Sequence, residues 1–139
     1  MRASTWAVIA AAAVLLFAGG CASVGRSLRA DKLDESLAAY NSAIRWGQFE
    51  DAVRLCAPIK GQPPSVDKAL SRLRVTGAEE KQRSLAEDGT RATATVEYEF
   101  YNEYQARVNT VLDHQRWRYD DVAGRWLLQD CLAAFPSHR

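Results

Sequence analysis

The sequence predicts an α+β fold in which N-terminal helices pack on a four-stranded, curved antiparallel meander sheet. Apolar residues recur at helical spacing between Leu33 and Ile44, and the apolar period changes to two from Arg72 onward. Turn signals separate the successive strand segments, which indicates a meander. Neither element can bury its apolar side alone, so we expect the helices to cover one face of the sheet.

The first predicted element is a long helix. Asp31 is a suitable N-cap residue for it. The apolar residues that follow at helical spacing are Leu33, Leu37, Tyr40 and Ile44. Gly47 suits the left-handed position that ends many helices.

A shorter helical region follows. The apolar positions between Phe49 and Cys56 predict a second helix over residues 48–57, which Pro58 ends. After the loop at residues 61–64, Ser65 is the expected cap of a helical turn that runs to Leu70. These segments complete the part of the chain that precedes the sheet.

The first two strands are predicted over residues 72–86 and 91–100. Gly77 indicates a bend or bulge in the first strand, and Asp88-Gly89 is a strong hairpin signal. The second strand alternates clearly. Its apolar face carries Ala92, Ala94, Val96, Tyr98 and Phe100, and its polar face carries Arg91, Thr93, Thr95, Glu97 and Glu99. This alternation predicts one covered and one wetter sheet face.

The third strand is predicted over residues 107–120, with Val111, Asp113, Trp117 and Tyr119 on one side. Its opposite side carries Leu112, His114, Arg116 and Arg118. A loop at residues 121–124 leads to the last strand, residues 125–132, and residues 133–139 form a short tail.

The first twenty residues have the pattern of a signal peptide that ends before a cysteine. Arg2 is followed by an apolar run over residues 6–17, by three small residues and by Cys21. The segment 16–21 resembles the lipobox of bacterial lipoproteins, although that family prefers Leu where this chain has Ala18. The resemblance implies cleavage before the cysteine and its acylation with fatty acids such as palmitate.

This interpretation divides the chain into a signal peptide (1–20), a lipidated cysteine with its tether (21–30) and a single domain (31–139). The Asp that retains such lipoproteins in the inner membrane is absent after the cysteine, which implies the periplasmic side of the outer membrane in a Gram-negative cell. The alternatives are an ordinary secretory signal cut at residue 18 or 20, and a transmembrane anchor. The apolar run is shorter than the roughly 20 residues that a span needs.

Charge and composition exclude several classes of function. Removing residues 1–20 takes away one arginine, so the 18 Lys and Arg of the chain fall to 17, which equals the 17 Asp and Glu. A neutral domain has no basic footprint for nucleic acid. The only histidines are His114 and His138, and no Cys/His cluster has zinc spacing. We therefore expect no metal and no cofactor.

Two further cysteines, Cys56 and Cys131, remain after lipidation. An exported compartment is oxidising, so these two residues are candidates for a disulfide. The bond would close a loop of 75 residues, which the chain-entropy model values at about 4 kcal/mol. The alternative is a pair of buried free thiols.

The closing pattern of the chain, Trp-Arg-Tyr-Asp-Asp-Val-Ala-Gly-Arg-Trp-Leu-Leu over residues 117–128, follows the helix pair and the meander. Together they resemble the nuclear-transport-factor-2-like superfamily over residues 31–133. The resemblance implies a helix in the concave face of a curved sheet, around a conical pocket. The helical part of this chain is shorter than in fuller members, so the pocket is expected to be small or filled.

Some enzymes of this superfamily use an Asp or a His that faces the cone as acid or base. The candidates here are Asp113, His114, Tyr98 and Asp130, none of which lies in a catalytic motif. Asp113 shares its face with Trp117, where burial would raise its pKa as a general base requires; an ion pair with an arginine is the alternative. His114 shares a face with arginines, which indicates a solvated surface. Tyr98 is expected to pack in the core with its hydroxyl pointing outward.

Three functions remain open at this point. The first is a lipid-anchored, non-enzymatic envelope module that binds a protein partner or a small apolar ligand. The second is a small enzyme that uses Asp113 or His114 as base, and the third is a structural component of an envelope assembly. Tyr101 and Tyr104 bear on the choice. An exposed aromatic patch would mark a partner surface, whereas covered rings would indicate a homodimer through the sheet.

Overall fold

The computed structural model describes the backbone of residues 5–136 and the side chains of residues 21–136. The side chains of the expected signal peptide and His138 lie outside this range. The helices are α1 (Thr5–Arg45) and α2 (Phe49–Ala52), with 3-10 turns at Val53–Leu55 and Lys68–Arg72. The strands are β1 (Leu73–Leu85), β2 (Arg91–Asn102), β3 (Gln105–Asp120) and β4 (Arg125–Leu128). They form one antiparallel sheet in the order β1-β2-β3-β4, so the α+β class and the meander are confirmed.

Helix α1 begins before the position that the sequence predicts. Residues 22–30, expected as a tether without a helix, are helical, and the expected start at Asp31 is wrong. An Asp caps a helix only where the preceding chain leaves the helical conformation, and the residues before Asp31 contain no proline that would force this. The helix ends as predicted: Gly47 has φ +70°, and the amides of Gly47 and Gln48 bond to the carbonyls of Ile44 and Ala43.

The elements between α1 and the sheet are shorter than expected. The predicted helix over residues 48–57 is the single turn of α2 followed by a 3-10 turn that ends at Leu55. The cap before the next turn is Asp67 rather than Ser65, because the Asp67 carboxylate accepts a 2.8 Å hydrogen bond from the amide of Ala69.

The sheet bends where its glycine predicts. The β1–β2 register shifts between Val75 and Gly77, and again between Glu80 and Gln82. Gly89 lies in the tight turn that follows β1, with φ +65°. Strand β4 ends at Leu128 instead of Leu132, because the chain turns away there toward the second cysteine.

The core lies between α1 and the inner face of the sheet. The predicted apolar faces of β2 and α1 are confirmed, since all of these residues are buried: Leu33, Leu37, Tyr40, Ile44, Ala92, Ala94, Val96, Tyr98 and Phe100. Phe135 from the C-terminal tail closes the end of this core. Its ring lies 5.3 Å from that of Tyr98, 6.0 Å from Phe100 and 6.1 Å from Phe49, measured between centroids.

Cys56 and Cys131 are paired as a disulfide, with their Cα atoms 5.7 Å apart. The backbone beside the bond is also joined to the sheet, because the amide of Ala57 donates to the carbonyl of Leu128 over 2.8 Å. The disulfide therefore holds the C-terminal tail against the segment that follows α2, and Phe135 follows the bond by four residues.

Candidate functional site

A group of polar side chains is buried between α1 and the inner face of the sheet. Strand β3 contributes Asp113 and Gln115, which are 3% and 1% exposed. Strand β2 contributes Tyr98, and α1 contributes Asn41 and Tyr40. Because side chains alternate along a strand, Tyr98, Asp113 and Gln115 point inward beside Trp117. Helical spacing places Asn41 above them. We call these five polar residues the buried polar cluster.

Gln115 is the centre of the buried polar cluster. Its amide nitrogen lies 3.0 Å from a carboxylate oxygen of Asp113, 3.1 Å from Asn41 Oδ1 and 3.3 Å from the Tyr98 hydroxyl. Its carbonyl oxygen accepts from the indole N–H of Trp117 over 3.1 Å. An amide has two N–H groups, so the three acceptors share two donors.

The aromatic hydroxyls complete the arrangement. Tyr98 donates to Asn41 Oδ1 over 2.5 Å, and Tyr40 accepts from the backbone amide of Leu132 over 3.3 Å. Among the residues whose side chains the structure describes, no buried side-chain nitrogen or oxygen lacks a hydrogen-bond partner. The cluster is therefore satisfied from within the protein and leaves no buried group oriented toward a ligand.

Burial determines the electrostatics of the cluster. Removal from water raises the pKa of Asp113, which the hydrogen bond from Gln115 and the neighbouring His114 only partly oppose. Burial also raises the pKa of Tyr40 and of Tyr98 above the usual range of tyrosine, and the carboxyl of Asp113 adds to both shifts. For all three groups, burial thus shifts the protonation equilibrium toward the neutral form.

His114 lies on the opposite, outer face of the sheet, one residue from Asp113. Its Nδ1 is 3.2 Å from the hydroxyl of Thr95, and both side chains border an open cleft of about 480 Å³. Arg116 and Asp130, which border the same cleft, form an exposed ion pair. The cleft is an exposed depression in the polar face, as the sequence predicts for His114.

The structure separates the four residues that the sequence proposes for chemistry. Asp113 and Tyr98 lie inside, whereas His114 and Asp130 lie outside. The expectation that the Tyr98 hydroxyl points outward is wrong, because Tyr98 is fully buried and its hydroxyl donates to half-buried Asn41 of α1. The alternative of an arginine partner for Asp113 is also wrong, since its partner is the Gln115 amide.

Sequence reasoning missed Gln115 and Asn41. Gln115 occupies an inward position of β3 between Asp113 and Trp117, so the alternation that placed Asp113 inside also places Gln115 there. Asn41 directly follows Tyr40 at the margin of the apolar face of α1. A polar residue at an inward strand position is a usable signal, because such a residue needs a buried partner.

Exposed aromatic and apolar residues gather at the end of the sheet where α1 ends. Trp46 is 71% exposed, Tyr104 75% and Val108 60%. Tyr101 pairs with Val108 across the sheet and shares an open groove of about 530 Å³ with Trp46. Arg72 stacks on Tyr104 at 5.1 Å from the ring centroid. We call Trp46, Tyr101, Tyr104 and Val108 the aromatic end.

No family model, curated protein or solved structure matches this chain. In the part that the structure describes, no group of His, Cys, Asp or Glu has the arrangement of a metal site. The described helices also include none that is long and apolar enough to cross a membrane.

Proposed function

We propose that this protein is a lipid-anchored, non-enzymatic envelope module that binds a protein partner through its aromatic end. The filled space between α1 and the sheet carries this proposal. Leu37, Tyr40 and Ile44 are at most 1% exposed, and Phe135 closes the end of the core. Asp113 is 3% exposed and lines none of the clefts found among the described residues.

The anchor is the acylated Cys21. The lipobox-like segment before it supports this assignment, and so does the exposure of Cys21 on α1. More than one acyl chain gives stable membrane attachment. We place the domain on the periplasmic side of the outer membrane in a Gram-negative cell.

The fold proposed for the domain is that of the nuclear-transport-factor-2-like superfamily, with its cone filled. A helix that lies across the inner face of an antiparallel meander supports it, as do the two register shifts that bend β1. The closing strand pair, with Trp117 and Trp126 both buried, agrees with the superfamily pattern at the end of the chain.

The aromatic end is the proposed partner surface because aromatic side chains and arginine are enriched at protein interfaces. It lies at the far end of α1 from Cys21, and the 24 residue steps from Cys21 to Arg45 span about 36 Å of helix. A partner therefore meets the aromatic end away from the anchor.

Two measurements test the proposal. Labelling cells with a fatty acid should mark the wild type and not Cys21→Ala; equal labelling overturns the anchor. Crosslinking from native membranes should then recover a partner that Trp46→Ala/Tyr104→Ala loses and that Ile59→Ala retains. Ile59 is the matched control because it is 64% exposed and belongs to a different surface. Equal recovery by both variants overturns the partner surface.

A second candidate function is an enzyme that uses Asp113 as general base. The raised pKa of this buried carboxyl favours it. It requires Phe135 or α1 to move so that a substrate reaches the buried polar cluster. A substrate whose turnover Asp113→Asn abolishes, and His114→Ala does not, would replace the first proposal.

A homodimer through the sheet, or a purely structural role in an envelope assembly, is a third candidate. Leu112 and Val108 on the outer face are 48% and 60% exposed, which provides apolar area for a second copy. Sedimentation of the mature domain tests it, and a monomer at all concentrations excludes the dimer.

A further inference from the structure

The segment expected as a tether is part of a helix that packs on the domain. Helix α1 is continuous from Cys21 to Arg45. Five residues after Cys21, about 8 Å along the helix, the side chain of Arg26 reaches the turn between β1 and β2. A Cβ added to Gly89 in that turn would lie 3.1 Å from Arg26 Cγ. The acylation site is therefore close to the folded domain and joined to it by helix.

The same end of α1 is also joined to the turn between β3 and β4. Arg29 forms a 2.7 Å ion pair with Asp121 and stacks on Tyr119 at 4.9 Å from the ring centroid. Lys32 donates to the carbonyl of Gly124 over 3.0 Å. Two turns of the sheet thus hold α1 between Arg26 and Lys32, and this limits how far the domain can tilt about its anchor.

Exposed apolar side chains follow Cys21 along one face of α1. Val24 and Leu28 come three and seven residues after it, which is the spacing of one helix face, and they are 59% and 58% exposed. Val122 is fully exposed in the turn between β3 and β4. Asp121 of the same turn pairs with Arg29, the residue that follows Leu28 in α1. We call Cys21, Val24, Leu28 and Val122 the anchor-side stripe.

We propose that the anchor-side stripe lies in the interface of the lipid bilayer and holds the domain in one orientation, with the aromatic end pointing away from the membrane. This inference rests on the proposed acylation of Cys21. The stripe begins at Cys21, and the lipid attached to Cys21 lies in the bilayer. The surface that covers the stripe is therefore the bilayer. The exposed apolar side chains at this end of α1 enter the headgroup region, and α1 rises from there so that its other end lies away from the bilayer.

The neutral charge balance of the mature chain agrees with an apolar contact. Attraction to anionic lipid requires a cluster of several basic residues, and because Arg29 at this end is paired with Asp121, Arg26 and Lys32 are too few to form one. We therefore expect the contact to persist on zwitterionic vesicles and at high salt.

Single fluorescent labels measure the orientation directly. In the acylated protein Cys21 is blocked and Cys56 is bonded to Cys131, so Val122→Cys and Tyr104→Cys each supply one reactive thiol. Both proteins are reconstituted in phosphatidylcholine vesicles that contain a lipid with a nitroxide on its headgroup. The label at 122 should be quenched. The label at 104 should keep the intensity that it has in vesicles without nitroxide, because the twelve residues of β2 separate the two ends by about 35 Å.

Three further variants separate a specific contact from mere proximity. In the Val122→Cys background, Val24→Ser/Leu28→Ser should reduce quenching, while Ile59→Ser should leave it unchanged. A flexible insertion of glycine and serine residues after Ser23 should also reduce it, because it removes the helical connection. Equal quenching at 122 and 104 in acylated protein overturns the fixed orientation and leaves the anchor intact. A mass spectrum without acyl groups on Cys21 overturns both proposals.

Discussion

Polar residues on the two faces of the sheet lie in opposite environments. Asp113 and Arg116, which lie on opposite faces of β3, show the difference. Asp113 faces inward, has no ion pair among the described residues and depends on a neutral amide for its hydrogen bond. On the outer face, Arg116 pairs with exposed Asp130 in contact with water. The inner face therefore raises the pKa of a buried carboxyl, while the outer face keeps ordinary surface charges. Residue type alone is a poor guide to chemistry on such a strand.

The largest difference in stability between an inner-face and an outer-face substitution should appear on β2. Val96 is 1% exposed, so Val96→Asp places a charge in the core without a partner, at a cost of several kcal/mol. Against a domain stability of about 5–15 kcal/mol, this should unfold much of the population. Glu97→Lys on the outer face loses a partly exposed ion pair with Lys81 and should cost less than about 1 kcal/mol.

Thermal melts of the two variants test this comparison. Greater damage from Glu97→Lys would mean that the register is wrong by one residue and that every inward and outward position of β2 is exchanged.

Loss of the disulfide should have the next largest effect, because the bond holds the tail that carries Phe135 over the inner face. Mass spectrometry of the unreduced mature domain should find one bridge and no free thiol at Cys56 or Cys131. Cys56→Ser/Cys131→Ser should lower the free energy of unfolding by about 2–5 kcal/mol in denaturant titrations. Two thiols that react in the native exported protein would contradict the bond.

Gln115→Leu tests the centre of the buried polar cluster. It removes the donor to Asp113 and the acceptor of Trp117, so we expect a loss of about 1–3 kcal/mol for the groups left without a partner. Thr95→Val on the outer face removes the hydroxyl near His114 and is the control, with little expected change. A stability of Gln115→Leu equal to that of the control would show that water replaces the amide.

The raised pKa of Asp113 should make stability depend on pH. The native state holds this proton more tightly than the unfolded state, so the contribution is fully present below the ordinary pKa of about 3.9 and is lost as pH rises through the raised value. The difference in Tm between wild type and Asp113→Asn should therefore shift against the wild type as pH rises above about 4. A Tm difference that does not change with pH would mean that the pKa of Asp113 is not raised by burial, as expected for a carboxyl in contact with water.

The smallest effect is expected from the outer face. Arg116→Ala breaks the ion pair with Asp130, and because both side chains are exposed, the cost should stay below about 1 kcal/mol and vanish in high salt. A salt-independent loss above that value would mean that the outer face is covered, as a homodimer through the sheet requires.

The period of the apolar residues was sufficient to predict the sheet and its buried face. Alternation from Ala92 to Phe100 indicates which side chains point inward, and Gly77 and Gly89 mark the bend and the turn because glycine tolerates both. The start of α1 was not predictable in this way. An N-cap residue such as Asp31 is only a local preference, and contacts of Arg29 and Lys32 with a turn some 90 residues later support the helix before it.

The sequence by itself determined the α+β class, the strand faces and the inward position of Asp113, because each follows from local spacing; it named Cys56 and Cys131 as disulfide candidates, and the structure pairs them. Only the tertiary structure decided that Gln115 and Asn41 satisfy the polar groups around Asp113, that Phe135 closes the core and that the beginning of α1 is held by two turns. These contacts join residues far apart in the chain. Their partners are selected by packing and by the cost of an unsatisfied buried polar group, which no local pattern records.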